Sequence, residues 1–428
     1  MNIVQLVPGV GGSFYCENCL RDHALARALL QAGEQVSLVP LYLPVVADEP
    51  GAVRNRPIFF GGINVYLSER FGFLRHLPRV VRDFLDSPAL LKRVSALAGM
   101  TSANDLAKAT ISMLMGEHGR QRRELERLIE YLTAHDRPDV VILSNALLVG
   151  MTRRIKKALG VPVLCLLQDE DIFLDSLPEA KRELANQILS ERAQEVDAFL
   201  AVSEYCRSYS IDRFGLDGEK VHVVPIGLRL EEYQLSFPVE TPVIGYMERL
   251  CPDKGLDVLI EAFILLTQRP MCQNAQLWIT GGQTTGDEAF IAHQHARLDD
   301  WHLAGQVRWL ENLMREDRLE FLRSLSVLSV PARHAEAFGL YAVEAMASGV
   351  PVVEPAQGAF PEMIQATGGG LLFAPNDPKD LADKLEKLVI DTPAALQMGR
   401  QGRLAVFQHF GLEGMAQRVL SICRELGK

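Results

Sequence analysis

The sequence has no excess of positive charge. Its 428 residues include 44 Lys and Arg against 54 Asp and Glu, for a formal net charge of −10. A protein that binds nucleic acid in bulk needs a basic face to offset the phosphate charge. The charge balance therefore argues against a nucleic-acid partner.

Long apolar runs are also missing. No stretch approaches the roughly 20 apolar residues that a helix needs to span a bilayer. The opening stretch, residues 1–7, is typical of a short strand and lacks the basic-then-apolar pattern of a signal peptide. We therefore expect a cytoplasmic protein.

Cysteine is scarce, with seven residues, an odd number, scattered along the chain. This usage argues against a framework of disulfide bonds. Cys16 and Cys19 form the one close pair, at the expected start of the first helix, where a thiolate would be stabilised. Because no second pair has metal-ligand spacing, we expect ordinary packing for both, with a redox or metal role as the alternative.

The dinucleotide-binding fingerprint Gly-x-Gly-x-x-Gly is absent after the first strand-like run. Counted from Gly9, the position of the third glycine holds Phe14. The acid expected about 20 residues later is missing too, because the second strand-like run reads Val-Ser-Leu-Val over residues 36–39. A nicotinamide-dependent enzyme is therefore a poor fit. Gly11 and Gly12 instead favour a loop that faces a ligand, with a structural turn as the alternative.

The chain is longer than the size at which single cores split, about 250–300 residues, so two domains are expected. Strand-like and helix-like segments alternate in both halves, and the alternation lapses around residues 230–241. This pattern predicts two doubly wound α/β domains with parallel sheets, facing each other across a cleft. We place the first at residues 1–235, with a helical insertion at about 70–133, and the second at 236–405.

Two carboxylates, Glu336 and Glu344, enclose the start of a predicted helix. If the whole stretch were helical, eight residues would separate the two carboxylates by about 12 Å along the helix axis. The two carboxylates of a glycosidase flank one bond and lie about 5–9.5 Å apart, so this spacing argues against a glycosidase pair. A helix that begins near Phe338 or Gly339 leaves Glu336 in the preceding loop and turns unpaired N–H groups toward an anion. In the alternative, Glu336 only complements the helix dipole and Glu344 is a solvated helical acid.

Arg249 and Lys254 follow the first strand-like run of the second half, at the edge where parallel sheets bind ligands. A guanidinium group forks onto phosphate oxygens, and an ammonium group acts as a point charge. Together they are suited to neutralise a departing diphosphate. Either one alone is more typical of a solvated surface charge.

Gln168 and Asp169 begin a polar stretch that follows another strand-like run and continues through two further acids, Glu170 and Asp171. These acids suit sugar hydroxyls, the positioning of an acceptor or a cation. A solvated loop is an equal alternative. Residues 71–85 and 120–123 mix basic and apolar side chains, which is typical of packing with solvated charge and leaves open a peripheral contact with a membrane.

Taken together, these residues resemble the retaining glycosyltransferases of the GT-B fold, in particular glycosyltransferase family four. The Glu-x7-Glu signature of that family matches Glu336 and Glu344. Its Gly-Arg-Leu…Lys-Gly signature matches Arg249 and Lys254 with the residues that follow them, although Glu248 stands where glycine is usual. The resemblance is strongest over residues 243–390 and covers the rest loosely.

The resemblance implies a role for each candidate residue. Arg249 and Lys254 would hold the donor diphosphate, Glu336 would contact the transferred sugar, and these three would form the catalytic set. Glu344 would bind the ribose hydroxyls, and the segment around Leu310 would lie near the nucleobase. The predicted donor-binding residues are Gly11, Gly12, Arg249, Lys254, Leu310, Glu336, Ala337, Phe338, Gly339, Leu340 and Glu344.

Gln168 and Asp169 are predicted on the acceptor or sugar side. Gln168 occupies a position at which many members of the family carry a histidine that contacts the donor sugar. The resemblance further implies two Rossmann-like domains and a C-terminal helix, 406–428, that returns to the N-terminal domain.

The implied activity is metal-independent, retaining transfer of a hexose from a nucleotide-diphosphate sugar to a hydroxyl of a glycan, lipid or small molecule. Bacterial-type glycan biosynthesis is the expected setting, without a cofactor and with a peripheral contact with the inner face of the membrane left open. The alternatives are a nucleotide-sugar epimerase or phosphorylase on the same fold, and a non-catalytic nucleotide-sugar-binding protein.

Overall fold

The computed structural model describes residues 1–9, 17–42, 57–60, 103–236, 241–284 and 286–427. Gly11, Gly12, Cys16 and residues 70–102, about half of the predicted insertion at 70–133, lie outside the described residues. The chain divides into two compact units, one built mainly from Asn18–Pro225 and the other mainly from Ile226–Gly414. The last segment, Met415–Lys428, groups with the first unit. Our domain limits at residues 235 and 405 stay predictions.

A six-stranded parallel sheet forms the centre of the first unit, in the order β2-β1-β3-β4-β5-β6. Three neighbouring inner strands, β3, β4 and β5, are continuous apolar runs with every residue buried, as expected for a sheet covered on both faces. The strands are β1 (Asn2–Val7), β2 (Gln35–Pro40), β3 (Val140–Leu143), β4 (Val163–Leu167), β5 (Ala198–Ala201) and β6 (Val221–Val223).

Helices connect these strands, as parallel pairing requires. They are α1 (Glu17–Gln31), α2 (Ala103–Leu114), α3 (Arg122–Tyr131), α4 (Thr152–Leu159), α5 (Glu170–Asp175), α6 (Glu179–Ala193) and α7 (Glu204–Phe214). Cys19 in α1 is disulfide-bonded, so the prediction of ordinary packing for this cysteine is wrong.

The second unit also contains a six-stranded parallel sheet, in the order β12-β11-β10-β7-β8-β9. This is the doubly wound order, in which the strand sequence reverses between β10 and β7 and creates a crevice at their carboxyl ends. The strands are β7 (Val243–Met247), β8 (Gln276–Thr280), β9 (Val307–Trp309), β10 (Val327–Leu328), β11 (Val352–Pro355) and β12 (Gly370–Phe373). The prediction of two doubly wound α/β domains is confirmed.

The helices of this half of the chain alternate with its strands and end in a helical tail. They are α8 (Leu256–Thr267), α9 (Glu288–Asp300), α10 (Arg315–Arg323), α11 (Leu340–Ala347), α12 (Phe360–Thr367), α13 (Pro378–Ile390), α14 (Thr392–His409) and α15 (Leu412–Leu426). Of the helices in the described part of the chain, none combines the length and apolar character that a membrane crossing demands.

Helix α11 begins at Leu340, with Gly339 directly before it, as the spacing of the two carboxylates predicted. Gly339 has a φ of 81°, in the left-handed region that glycine adopts without a steric penalty. A Cβ at this position would lie 2.5 Å from Cε1 of Phe360. Both the backbone angle and the packing therefore require glycine at the entry to this helix.

We expect Gly339→Ala to destabilise the protein more than Gly33→Ala does. Gly33 has a similar φ of 87°, but nothing lies within 4 Å of a Cβ placed there. Both changes incur the left-handed strain of about 1–2 kcal/mol, and only Gly339→Ala adds overpacking of about 1–3 kcal/mol against Phe360. Urea unfolding of the two variants measures the difference. Equal losses would mean that Phe360 moves aside without cost.

Candidate functional site

Lys254 and Glu336 form an ion pair at the carboxyl edge of the second sheet. Lys254 Nζ lies 2.7 Å from Glu336 Oε1 and 3.9 Å from Oε2 of Glu248. Lys254 ends a short turn after β7, and Glu336 lies in the loop after β10, the neighbouring strand. The reversal point of the sheet thus brings together two residues that are 82 positions apart in the chain.

Backbone contacts with Gly358 and Ala359 fix the loop that carries Glu336. Ala359 N–H donates to the carbonyl oxygen of Glu336 at 3.0 Å. Gly358 approaches so closely that a Cβ there would lie 2.5 Å from the same oxygen. The side chain of Glu336 is 2% exposed, and its Oε2 is buried without a hydrogen-bond partner among the described residues. The carboxylate therefore has one oxygen on Lys254 and one acceptor unused.

Arg249 lies beside this pair but takes a different partner. Its Nε and Nη2 donate to the two carboxylate oxygens of Asp287 at 3.1 and 3.0 Å, and Nη2 also donates to Thr284 Oγ1 at 3.0 Å. Burial raises the pKa of Asp287, but the hydrogen bonds from Thr284 and Arg249 outweigh it and hold the pKa below its usual value. The fork fixes the guanidinium and leaves Nη1 without a hydrogen bond to the described residues.

Glu344, on α11, is buried, so the alternative of a solvated helical acid is wrong. Its Oε1 accepts a hydrogen bond from the Tyr233 hydroxyl at 2.7 Å and lies 3.3 Å from Arg318 Nε. Burial and the neighbouring carboxylate raise the pKa of Tyr233 well above its ordinary value. The phenol therefore remains a donor and holds Glu344 in one orientation.

Helix α11 begins without a side-chain cap and without an acid in its first turn. The side chains of Ala337, Phe338 and Leu340 are buried, and the Phe338 ring packs edge-on against Phe410. Contact between the backbone of this segment and a ligand stays a prediction.

Two further buried acids, Glu248 and Glu354, belong to the surroundings of Glu336. Burial raises the pKa of Glu248, and Glu336 raises it further against the opposing effect of Lys254. Burial raises the pKa of Glu354 well above its ordinary value, with Glu336 adding to the rise and the Val330 N–H opposing it. In the sequence, Glu248 stood out only as a departure from glycine, and no motif included Glu354, although a single acid within a strand as apolar as β11 is a signal.

In the first unit, Gln168 and Asp169 directly follow β4. Gln168 is buried at the end of β4, and Glu170 is buried at the start of α5, so a solvated loop is the wrong interpretation for both. Asp169, between them, is half-buried and has a left-handed φ of 57°. Leu310, in the second unit, follows the edge strand β9 and donates its N–H to the Ile279 carbonyl at 2.8 Å.

We expect Glu354→Gln to change how stability depends on pH. A carboxyl whose pKa is raised in the folded state stabilises the protein below its unfolded pKa, and this contribution is lost as the pH rises through the folded pKa. The uncharged amide of the variant would mimic the protonated acid at every pH. The free energy of unfolding of the variant should therefore gain on the parent as the pH rises, by at most about 1.4 kcal/mol per pH unit.

Urea unfolding between pH 5 and pH 9 measures this difference. Glu320→Gln, an exposed glutamate on α10, controls for the chemical change. Parallel curves for the parent and Glu354→Gln would contradict a raised pKa of Glu354.

Comparison with known proteins identifies the relatives of this chain. Residues 23–227 match the family model "Glycosyl transferase 4-like domain", and residues 230–405 match "Glycosyl transferases group 1". A D-inositol 3-phosphate glycosyltransferase from Corynebacterium jeikeium is 28% identical over 52% of this chain and 55% of its own length. The corresponding protein of Corynebacterium aurimucosum is 33% identical over 39% of each chain. The chain thus spans about half the length, or less, of these two relatives.

Solved structures match over nearly the whole chain. Sucrose-phosphate synthase from Thermosynechococcus elongatus has a TM-score of 0.69 at 18% identity, covering 99% of this chain and 98% of that one. Anabaena HepE, in complex with UDP and glucose, has a TM-score of 0.69 at 17% identity and covers 100% of both chains. At such identities the likeness establishes the fold alone. With both halves matched by family models, the chain belongs to the GT-B glycosyltransferases that combine a glycosyl transferase 4-like domain with a group 1 domain.

Proposed function

We propose that this protein transfers a hexose from a nucleotide-diphosphate sugar to an acceptor hydroxyl, with retention and without a metal or cofactor. The observation that carries this proposal is the carboxylate of Glu336, which has one oxygen on Lys254 and a second buried without a partner among the described residues. A buried acceptor left unpaired costs about 1–3 kcal/mol, which a ligand hydroxyl would recover.

The diphosphate would bind where positive charge converges. Lys254 retains 23% side-chain exposure and Arg249 retains 43%, so both are accessible to phosphate oxygens. Arg249 would offer its Nη1, because Asp287 already orients the rest of the guanidinium. The uncapped N-terminus of α11 adds N–H donors and a partial positive charge. Together these groups would stabilise the negative charge that develops on the leaving diphosphate.

The two glutamates would bind the ends of the donor. Glu336 Oε2 would accept a hydrogen bond from a hydroxyl of the transferred sugar. Glu344, oriented by Tyr233, would bind the ribose hydroxyls. The diphosphate would then lie between them, over the start of α11.

In the reaction, the bond between the anomeric carbon and the phosphate oxygen breaks, and its electron pair leaves with the diphosphate. The acceptor oxygen bonds to the anomeric carbon from the same face, and its proton passes to the departing phosphate oxygen. No carboxylate nucleophile is required. Lys254 would have two roles in this reaction, because it would neutralise the diphosphate and orient Glu336.

The relatives suggest the first substrates to test. A structure of Anabaena HepE contains UDP-glucose, so UDP-glucose is the first donor. The two relatives are named D-inositol 3-phosphate glycosyltransferases. Inositol phosphates are therefore the first soluble acceptors to test, followed by glycan and lipid-linked hydroxyl acceptors. We therefore propose an acceptor from one of these classes, together with a peripheral contact between the protein and a membrane.

We expect the parent to transfer sugar from one of a panel of nucleotide sugars in the presence of EDTA. Glu336→Gln and Lys254→Met should each lower kcat/KM by about 100-fold, the order of effect seen when one group that stabilises a transition state is removed. Product formation is followed by mass spectrometry, and NMR of the anomeric proton reports retention.

Two exposed residues of the same unit provide matched controls. Lys379→Met and Glu320→Gln repeat the chemical changes at exposed side chains outside the site and should retain parental activity. Thermal unfolding separates lost activity from lost fold. Variants as active as the parent, an inverted product or dependence on a divalent metal would each contradict the corresponding part of the proposal.

A further inference from the structure

Arg21, on α1 of the first unit, is fully buried, although charged residues are seldom buried completely unless they are paired. Its Nε and Nη2 donate to Asp22 Oδ1 at 3.2 and 2.9 Å. Nη2 also donates to the Ser144 carbonyl oxygen, and the Ser144 hydroxyl donates to the second oxygen of Asp22. Asp22 and the backbone of Ser144, the residue directly after β3, thus hold one side of the guanidinium group.

The other side of the guanidinium holds Gln168. Arg21 Nη1 donates to Gln168 Oε1 at 3.0 Å, across 147 positions of sequence. Because a guanidinium can only donate, the amide atom that faces it must be the oxygen. The contact therefore decides which way the Gln168 amide is turned, and Nε2 must face away from Arg21.

Gln168 Nε2 is buried and donates to none of the described residues. The side chain is only 1% exposed, so the cost of two unused N–H donors is not relieved by solvent. Gln168 directly follows β4, at the carboxyl edge of a parallel sheet, where ligands bind in such folds.

The backbone at this position is held as firmly as the side chain. Glu170 accepts the Gln168 N–H at 2.9 Å and the Ala146 N–H at 3.0 Å, which links the end of β4 to the residues after β3. The amide thus has a fixed position, a fixed orientation and two donors that no described residue uses.

We propose that Arg21 is a positioning residue that fixes the Gln168 amide so that its N–H groups donate to an oxygen of the bound ligand. This inference rests on the proposed function, because the ligand is one of the substrates of the transfer reaction. The chemistry selected is an acceptor oxygen, which belongs either to a sugar hydroxyl or to a phosphoryl or carboxylate group. Arg21 does not touch the ligand and acts only through Gln168.

A double-mutant cycle tests the action through Gln168. Arg21→Met with Asp22→Leu removes both charges of the buried pair together, a change that is often neutral for stability. This pair of changes and Gln168→Leu should each lower kcat/KM by about tenfold, the effect of one lost hydrogen bond. Combining them should lower it no further. An additive loss, or an unchanged Gln168→Leu, would overturn the inference.

Arg192→Met is the matched control. Arg192 is also buried in the first unit, where it pairs with Glu117 at 3.3 Å. The Arg192→Met change should lower the midpoint of thermal unfolding and leave kcat/KM unchanged. If the Arg21 and Asp22 variant does not fold, Arg21→Lys takes its place in the cycle, because it keeps the positive charge beside Asp22 and loses the planar fork that reaches Gln168.

Gln168→Glu separates the two ligand sources. One carboxylate oxygen would retain the contact with Arg21, and the other would replace the N–H donor with an acceptor. A ligand hydroxyl can turn its proton toward this acceptor, so Gln168→Glu would then exceed Gln168→Leu in kcat/KM. A phosphoryl or carboxylate oxygen would be repelled, and Gln168→Glu would fall below Gln168→Leu. Equal kcat/KM values for Gln168→Glu and Gln168→Leu would mean that this end of the side chain meets no ligand oxygen, and would overturn the inference.

The failures of the two proposals are distinguishable. If the parent transfers no sugar from any donor, both the proposed function and this inference are contradicted. If the parent is active but the losses in kcat/KM add in the double-mutant cycle, only this inference is contradicted.

Discussion

The ion pair between Lys254 and Glu336 is the contact on which the site of the second unit depends. A carboxylate as buried as Glu336 is tolerated only with a cation nearby, and Lys254 is that cation. The approach requires Gly255, at which a Cβ would lie 1.8 Å from the Pro331 carbonyl oxygen, and Gly358, which packs against the backbone of Glu336. Backbone packing between neighbouring strand ends thus sets the position of the charges.

The charges around this pair are arranged so that each cation has a defined partner. Asp287 holds Arg249 in a fork, and Lys254 lies between Glu336 and Glu248. Burial raises the pKa of Glu248, with Lys254 opposing this rise and Glu336 adding to it. A diphosphate would therefore meet cations that are already oriented, which is the condition for electrostatic stabilisation without reorganisation.

The sequence was sufficient for the features that depend on local pattern. The apolar run of β4 predicted a buried strand, and the spacing between Glu336 and Glu344 predicted a helix that begins near Phe338 or Gly339, within two residues of its start at Leu340. Features that depend on contacts distant in sequence were not predictable. The polar stretch after β4 was equally compatible with a solvated loop, because its burial depends on Arg21 and the end of β3.

By itself, the sequence determined the two-unit α/β class, the order of strands and helices, and the candidate residues Arg249, Lys254, Glu336 and Glu344. These follow from hydrophobic period, glycine placement and motif spacing, all of which are local. Only the tertiary structure decided which polar groups meet: Lys254 forms an ion pair with Glu336, Arg249 forms one with Asp287, and Arg21 donates a hydrogen bond to the neutral amide of Gln168. The reason is that parallel strands bring distant segments to one edge of a sheet, where burial then makes every charge require a partner.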